Sequence, residues 1–268
     1  MAAVTFTSCE KAINNKEQQD SLYTMTIHFQ PYEVVPMTRA AISDFCTHLD
    51  IFIVEPSGVV SEYHQTTDDA DFGSLTLTLN NQLTYRLVAV AHRCTSPAEF
   101  DENVITFPDD KVTHSMAYTT TFTPTKDMVM TCELHRIVAQ FQLNTTDAMP
   151  NDVKKMQFTV NNVFDRWHIL NGGTHQLDRT SVINITSTHD DGTVTCNIYA
   201  IVTDESTNHT VTVNALSAAD EVLQTKTFQN VPLRNGYRTI ATGAFFTDAA
   251  STFSFTATDW LGEESYTF

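Results

Sequence analysis

The chain has five cysteines, whose spacing decides whether they could bind zinc or form disulfides. They are Cys9, Cys46, Cys94, Cys132 and Cys196. No two of them stand at the two- to four-residue separation of structural zinc sites, and their odd number argues against a fully paired disulfide framework. Cys94 and Cys132 lie in apolar, strand-like segments, where a free thiol packs as a small hydrophobic side chain. We therefore expect these two thiols in the core and no zinc site.

Cys9 differs because it ends a short run of small and apolar residues and precedes the polar residues 10–20. The stretch at residues 6–9, Phe-Thr-Ser-Cys, resembles a bacterial lipobox, whose cysteine is acylated, and the polar residues would then form a tether. A full signal needs a charged start and an apolar stretch of 7–15 residues, so the numbering is expected to begin inside the signal. The alternative is an ordinary N-terminus with a free thiol.

Other residues with possible chemistry are isolated. Asp68, Asp69 and Asp71 could gather Ca²⁺, but the ligand spacing of an EF-hand is missing, which favours a solvated turn. Ten histidines are scattered singly, and the sequence contains no metalloprotease, nucleophile-elbow, phosphate-loop or dinucleotide motif. We predict no enzymatic activity, no metal site and no cofactor.

Composition restricts the partners and the fold. The formal net charge of −17 opposes binding to a nucleic-acid backbone. The chain is 41% hydrophobic and 18% charged, which excludes a disordered acidic tail. Its 42 threonines, 17 phenylalanines and 8 tyrosines favour pleated sheet over helix. These features predict an all-β protein.

Polar and apolar residues alternate in many short segments, as half-buried strands require. In the first of them, at residues 22–29, Tyr23, Met25, Ile27 and Phe29 share one face. Residues 49–54 and 59–64 form a predicted hairpin, and residues 75–79 and 83–91 a second predicted pair. Residues 162–170 could form a turn or two of helix. About seven short strands in the first half suggest a β-sandwich, and the second half repeats the strand rhythm, which indicates a second β-sandwich.

A cluster of turn-forming residues at 144–152 is the best candidate for a domain boundary. We therefore predict a signal remnant and tether at residues 1–20, an N-terminal β-sandwich at residues 21–146 and a C-terminal β-sandwich at residues 147–268.

Several segments, in this order, resemble the fimbrillin family of Bacteroidales, the lipoprotein-derived subunits of type V pili. They are the Ala-His end of the apolar strand at residues 88–92, residues 133–141, and residues 230–239 leading to Thr242 and Gly243. The resemblance extends from Cys9 to a C-terminal strand with Trp260. It implies two tandem transthyretin-like sandwiches, exported to the outer membrane and cell surface, and a structural role in a fimbria that supports adhesion.

The resemblance also implies an assembly mechanism. Subunits of this family polymerise when one donates an extended strand to a groove in the next, after an Arg-specific protease has removed the first strand; anchor-type members keep the strand and their lipid. Here it implies Cys9 as the lipidation site and other fimbrial subunits as partners. Arg39 becomes the candidate processing site, and the separable first strand carries Tyr23, Met25, Ile27 and Phe29.

Two other functions remain open. A surface lipoprotein that binds glycans would need clustered exposed aromatic residues, which the sequence does not visibly supply. A lipid-anchored hydrolase would need a catalytic constellation, which the sequence also lacks.

Overall fold

The computed structural model describes residues 21–32, 41–247, 252–259 and 265–267, and these residues are almost entirely β-structure. Two 3-10 helices, Ile42–Asp44 and Pro108–Asp110, interrupt the strands. No helix in the described ranges is long and apolar enough to cross a membrane. The strands are β1 (Leu22–Pro31), β2 (His48–Val54), β3 (Val60–Thr66), β4 (Ser74–Asn80), β5 (Tyr85–His92), β6 (Glu99–Asp101), β7 (Val104–Thr106), β8 (Met116–Phe122), β9 (Met128–Arg136), β10 (Ala139–Thr145), β11 (Lys155–His168), β12 (Thr174–Asn184), β13 (Thr195–Ala200), β14 (Thr207–Leu216), β15 (Val222–Leu233), β16 (Tyr237–Gly243), β17 (Ser254–Asp259) and β18 (Ser265–Thr267). The predicted all-β class is confirmed.

The first half of the chain forms one sheet that folds over a core. Its strand order is β3-β2-β5-β8-β9-β1-β4, and β8 and β9 are joined only at Met116↔Arg136 and Ala117↔His135. This short junction lets β3-β2-β5-β8 and β9-β1-β4 act as two layers. A single cluster of buried side chains, drawn from strands of both layers, fills the space between them.

Strands β2 and β5 are buried on both faces. Ile51 and Leu87 belong to the core between the two layers. Their neighbours Phe52 and Val88 point the other way, into a second cluster that includes Trp167. The outer face of this layer is therefore covered. Because both faces are buried, the sequences of β2 and β5 are nearly continuous apolar runs.

The second half contains two further sheets. One has the order β13-β10-β16-β17-β18, and the other has the order β15-β14-β11-β7-β6, with β12 on the free side of β11. Buried residues of both sheets, with Phe141, Phe158 and Phe228 among the largest, form their common core. The hairpin β6–β7 precedes these strands by many residues in the chain but pairs with the end of β11.

The two halves repeat the same strand pairing. In the first, β1 lies between antiparallel β4 and parallel β9; in the second, β10 lies between antiparallel β13 and parallel β16. Likewise β2 pairs with β3 and β5, as β11 pairs with β12 and β14. This recurrence supports two domains, a count that stays a prediction. The predicted ranges 21–146 and 147–268 would assign β10 to the first domain, whereas both of its hydrogen-bonded neighbours lie in the second half.

The predicted helical turn at residues 162–170 is wrong. Strand β11 continues to His168, and its register with β12 shifts between Val160 and Val163. Asn162 has a positive φ of 52°, which a bulge in the strand explains. The extra residue breaks the strict alternation on which the sequence-based interpretation relied.

Asp147 fixes the chain where it leaves β16 for the C-terminal strands. Its carboxylate oxygens accept the backbone N–H groups of Phe245, Phe246 and Thr247 at 2.6–2.7 Å and the Thr247 hydroxyl at 2.9 Å. Partial burial opposes ionisation, but the hydrogen bonds from Thr247, Phe245 and Phe246 lower the pKa of Asp147. The ionised carboxylate therefore stabilises this connection.

Replacing Asp147 should destabilise the protein in a pH-dependent way. Because the pKa is lower in the folded state, the stabilisation is present above the unfolded pKa and is lost as the pH falls through the folded pKa. We expect Asp147→Asn to lower the free energy of unfolding by about 2 kcal/mol at neutral pH. Its loss of stability between about pH 5 and pH 3 should be smaller than that of the wild type.

Denaturant titrations across this pH range measure both effects. Asp152→Asn changes an exposed aspartate in the β10–β11 connection, which also contains Asp147, and should leave stability nearly unchanged. Parallel pH curves for the wild type and Asp147→Asn would contradict the assignment.

Candidate functional site

The candidate site is the groove that holds β1 between β4 and β9. Residues 22–28 of β1 pair antiparallel with β4, from Leu22↔Asn80 to His28↔Ser74. Residues 25–31 pair parallel with β9, from Met25↔Met128 to Pro31↔Leu134. Both backbone edges of β1 are therefore hydrogen-bonded along its centre, and its removal would expose a row of N–H and C=O groups on each neighbour.

The inward face of β1 fills the core of the first half. Met25 and Ile27 are fully buried and Phe29 is 6% exposed, whereas Tyr23 is only half-buried. Pro31 is buried as well and extends this face by one position. The groove walls supply apolar side chains at matching positions, including Leu75, Leu79, Cys132 and Leu134.

The outward face of β1 is polar apart from exposed Leu22, and its side chains make few contacts. The Thr26 and Thr76 hydroxyls are 3.1 Å apart, and the Gln30 amide donates to Glu133 at 3.3 Å. The Thr24 backbone N–H donates to the Asp127 carboxylate at 2.8 Å. These exposed contacts contribute little stability compared with the buried face.

Additional contacts hold the C-terminal end of β1, and the strand pattern gave no sign of them. The Phe29 N–H donates to the Gly73 carbonyl at 2.9 Å, and Gly73 has a φ of +87° that favours glycine. The Tyr32 N–H donates to the Leu134 carbonyl at 2.9 Å. The Tyr32 ring stacks on His135 with centroids 4.1 Å apart.

Two of the predicted site residues, Cys9 and Arg39, lie outside the described residues, as does Trp260. Arg39 belongs to residues 33–40, which connect Tyr32 to Ala41. Hydrolysis after Arg39 would therefore remove the covalent link between β1 and all of the strands that surround it. Only the groove contacts would then hold β1 in place.

The groove offers no activated nucleophile. Burial raises the pKa of the Cys132 thiol to about 12, so the thiol stays protonated and packs as an apolar group. Cys94, the other thiol predicted to lie in the core, is also buried and free. The contacts that the described groove makes with β1 are backbone pairing and apolar packing.

A buried carboxylate, Asp50, joins several elements of the first half. It accepts hydrogen bonds from His92 Nε2 at 2.7 Å and the Ala98 N–H at 2.7 Å, and it lies 2.9 Å from His64 Nδ1. Burial opposes protonation of His92, but the hydrogen bond to Asp50 raises its pKa to about 9. Asp50 and His92 are fully buried. The hydrogen bond from the Ala98 N–H to Asp50 positions the chain that leads into β6.

The acidic turn behaves as a structural turn. The Asp69 carboxylate accepts the Thr66 N–H at 2.7 Å and the Thr66 hydroxyl at 3.2 Å, which closes the turn. Within the residues that the structure describes, no group of three His, Cys, Asp or Glu side chains could hold a metal ion. Trp167 packs in the cluster that covers β2 and β5.

Comparison with known families gives one match. Residues 103–264 fit a family of unknown function (DUF6562). The chain belongs to this family. The matched range begins just before β7, so it omits β1 and β4 but includes β9, and membership by itself says nothing about how β1 is held. No curated protein matches the sequence.

Solved structures with the same architecture come from Bacteroidales. A candidate adhesin from Bacteroides ovatus aligns over 93% of this chain and 95% of its own, with 10% identity and a TM-score of 0.54. A candidate polysaccharide-binding protein (DUF1812) from Bacteroides thetaiotaomicron aligns over 92% and 98%, with 9% identity and a TM-score of 0.55. The fimbrial anchor protein Mfa2 from Porphyromonas gingivalis aligns over 92% and 100%, with 10% identity and a TM-score of 0.47. The first two of these structures, with TM-scores above 0.5, confirm the fold that the predicted resemblance implied.

Truncating the inward face of β1 should destabilise the protein strongly. Ile27→Ala removes buried atoms from a closed core and should lower the free energy of unfolding by about 2–5 kcal/mol. His28→Ala changes the adjacent, exposed residue and should cost less than about 0.5 kcal/mol. Chemical denaturation of the two variants measures the difference, and equal effects would mean that β1 does not complete the core.

Proposed function

We propose that this protein is a structural subunit of a Bacteroidales-type cell-surface fimbria, assembled by β-strand addition and supporting adhesion. The observation that carries the proposal is the position of β1. It is paired on both edges, buried on one face and connected to the rest of the fold through residues 33–40, which contain Arg39. The partners are other subunits of the same fimbria.

Strand addition has a physical basis in this groove. An emptied groove would expose the paired edges of β4 and β9 together with apolar pockets two residues apart. Fully burying Met25, Ile27 and Phe29 is worth roughly 5–9 kcal/mol as an upper estimate. That is comparable to a typical domain stability of about 5–15 kcal/mol, so the groove has to be refilled.

Processing decides the place of the subunit in the fimbria. Cleavage after Arg39 would produce a chain that begins at Ala40 and needs a donor strand, as in a stalk or tip subunit. An uncleaved chain anchored through acylated Cys9 would keep β1 and serve as an anchor in the outer membrane. N-terminal analysis of surface-extracted protein distinguishes the two products.

A chain that begins at Ala40 should self-associate, because its groove is open. We expect oligomers in size-exclusion chromatography with light scattering, and conversion to a monomer when a synthetic peptide of residues 22–32 is added. The same peptide with Ile27→Asp is the matched control, since a carboxylate cannot enter the apolar pocket without a large desolvation cost. A truncated chain that stays monomeric with an unchanged melting temperature would rule out strand addition through this groove.

Acylation of Cys9 should anchor the full-length precursor. One acyl chain binds membranes only marginally, so stable anchoring needs the multiple acylation of a bacterial lipoprotein. Expression of the full gene in a Bacteroidales host with labelled palmitate should label the wild type and Cys196→Ala but not Cys9→Ala. Equal labelling of all three proteins would exclude Cys9 as the modified residue.

A second candidate function is glycan binding at the cell surface. The observation that favours it is the fold similarity, at a TM-score of 0.55, to the structure described as a candidate polysaccharide-binding protein. This function needs a site away from the groove, because the groove already holds β1. It is compatible with a fimbrial subunit, since an adhesive fimbria must bind a ligand.

A further inference from the structure

A cavity of about 540 Å³ lies at the junction of the two halves of the chain. One wall comes from β8 and the end of β9, and the opposite wall comes from the end of β11 and the turn that follows it. Its volume is within the range of small-molecule sites, which occur preferentially at such junctions.

The floor and rim of the cavity differ in chemistry. Ala117, Ile137, Trp167 and Ile169 line it with buried apolar surface. Exposed polar residues, Thr119, Asn171 and Asp204 among them, surround this surface, and Tyr118 is half-buried between the two zones. Trp167 is 7% exposed, so half-buried Tyr118 and exposed Leu170 are the lining residues that offer apolar surface to the C–H face of a sugar ring. The hydroxyl, amide and carboxylate groups of the lining suit its hydroxyls.

The wall that carries Asn171 is held by backbone contacts. The Ile169 N–H donates to the Asn103 carbonyl at 2.9 Å, and the Gly172 N–H donates to the His168 carbonyl at 2.8 Å. On the other side, buried Asn235 exchanges hydrogen bonds with the backbone of Val202, at 3.1 and 2.8 Å. The site is thus formed before a ligand arrives, which reduces the entropy lost on binding.

Charge at the rim favours a neutral ligand. Arg136 and Asp204 both line the cavity and carry opposite charges. The protein as a whole has a formal net charge of −17, which would repel an acidic glycan at a distance.

We propose that this junction cavity is a binding site for a short neutral oligosaccharide. The proposal deepens the second candidate function, on which it rests, and assigns it to Tyr118, Thr119 and Asn171, with buried Trp167 in the lining as a reporter of binding. It does not require β1 to leave its groove.

Intrinsic fluorescence of Trp167 provides the test. The chain has two tryptophans, so Trp260→Phe leaves Trp167 as the reporter. This variant of the full chain is titrated with N-acetyllactosamine, maltotriose, mannotriose and sialyllactose. We expect a saturable change with at least one neutral sugar, weakened roughly five- to tenfold by Asn171→Ala or Thr119→Ala. Thr227→Ala, an exposed change on β15, is the matched control and should bind like the parent.

Three results would overturn the proposal: no response to any neutral sugar, a response to sialyllactose alone, or unchanged affinity in both rim variants.

The Asn171→Ala change is also placed in the chain that begins at Ala40. Peptide rescue should be retained there, because Asn171 lies in the turn after β11 and not on the strands that hold β1. Loss of rescue in the parent truncation, with sugar binding by the full chain intact, would instead contradict strand addition alone.

Discussion

The two-sided pairing of β1 is the interaction on which the first half of the structure depends. A strand that pairs antiparallel on one edge and parallel on the other joins β4 to β9, which have no other contact through a sheet within the described strands. Its buried face closes the core against β2 and β5. The same ten residues therefore supply hydrogen bonds to the backbone edges of β4 and β9 and bury the apolar core. An unfilled groove would lose these hydrogen bonds and this burial together.

The second half uses the same arrangement but cannot release its central strand in the same way. Strand β10 occupies the position equivalent to β1, and only Ile137 and Val138 separate it from β9. Both connecting residues are buried, with exposures of 7% and 0%. Burial of both residues restricts protease access there, and because β10 is internal to the chain, one cut cannot free it from the strands on both of its sides. For β1, one cut within residues 33–40 breaks its covalent link to the strands that follow.

Local alternation was sufficient to predict β1, because three of the four side chains assigned to its inner face are buried and the fourth is half-buried. It failed at residues 162–170, where a bulge shifts the register of β11. The alternation of polar and apolar residues also could not predict contacts between residues that are distant in the sequence. Nothing near Asp147 in the sequence indicates that its carboxylate binds backbone groups about a hundred residues later, and nothing near His135 indicates that Tyr32 stacks on it.

That last contact connects the two proposed surfaces. His135 lines the junction cavity, and its ring stacks on Tyr32, the residue that follows β1. Removal of β1 would take away this support from one side of His135, whereas Trp167 belongs to a separate buried cluster, which β1 does not enter. A donor strand that restores an aromatic residue at the position of Tyr32 would restore the wall as well. The proposed strand exchange in the groove and the proposed ligand binding at the junction are therefore separate reactions that share the side chain of His135.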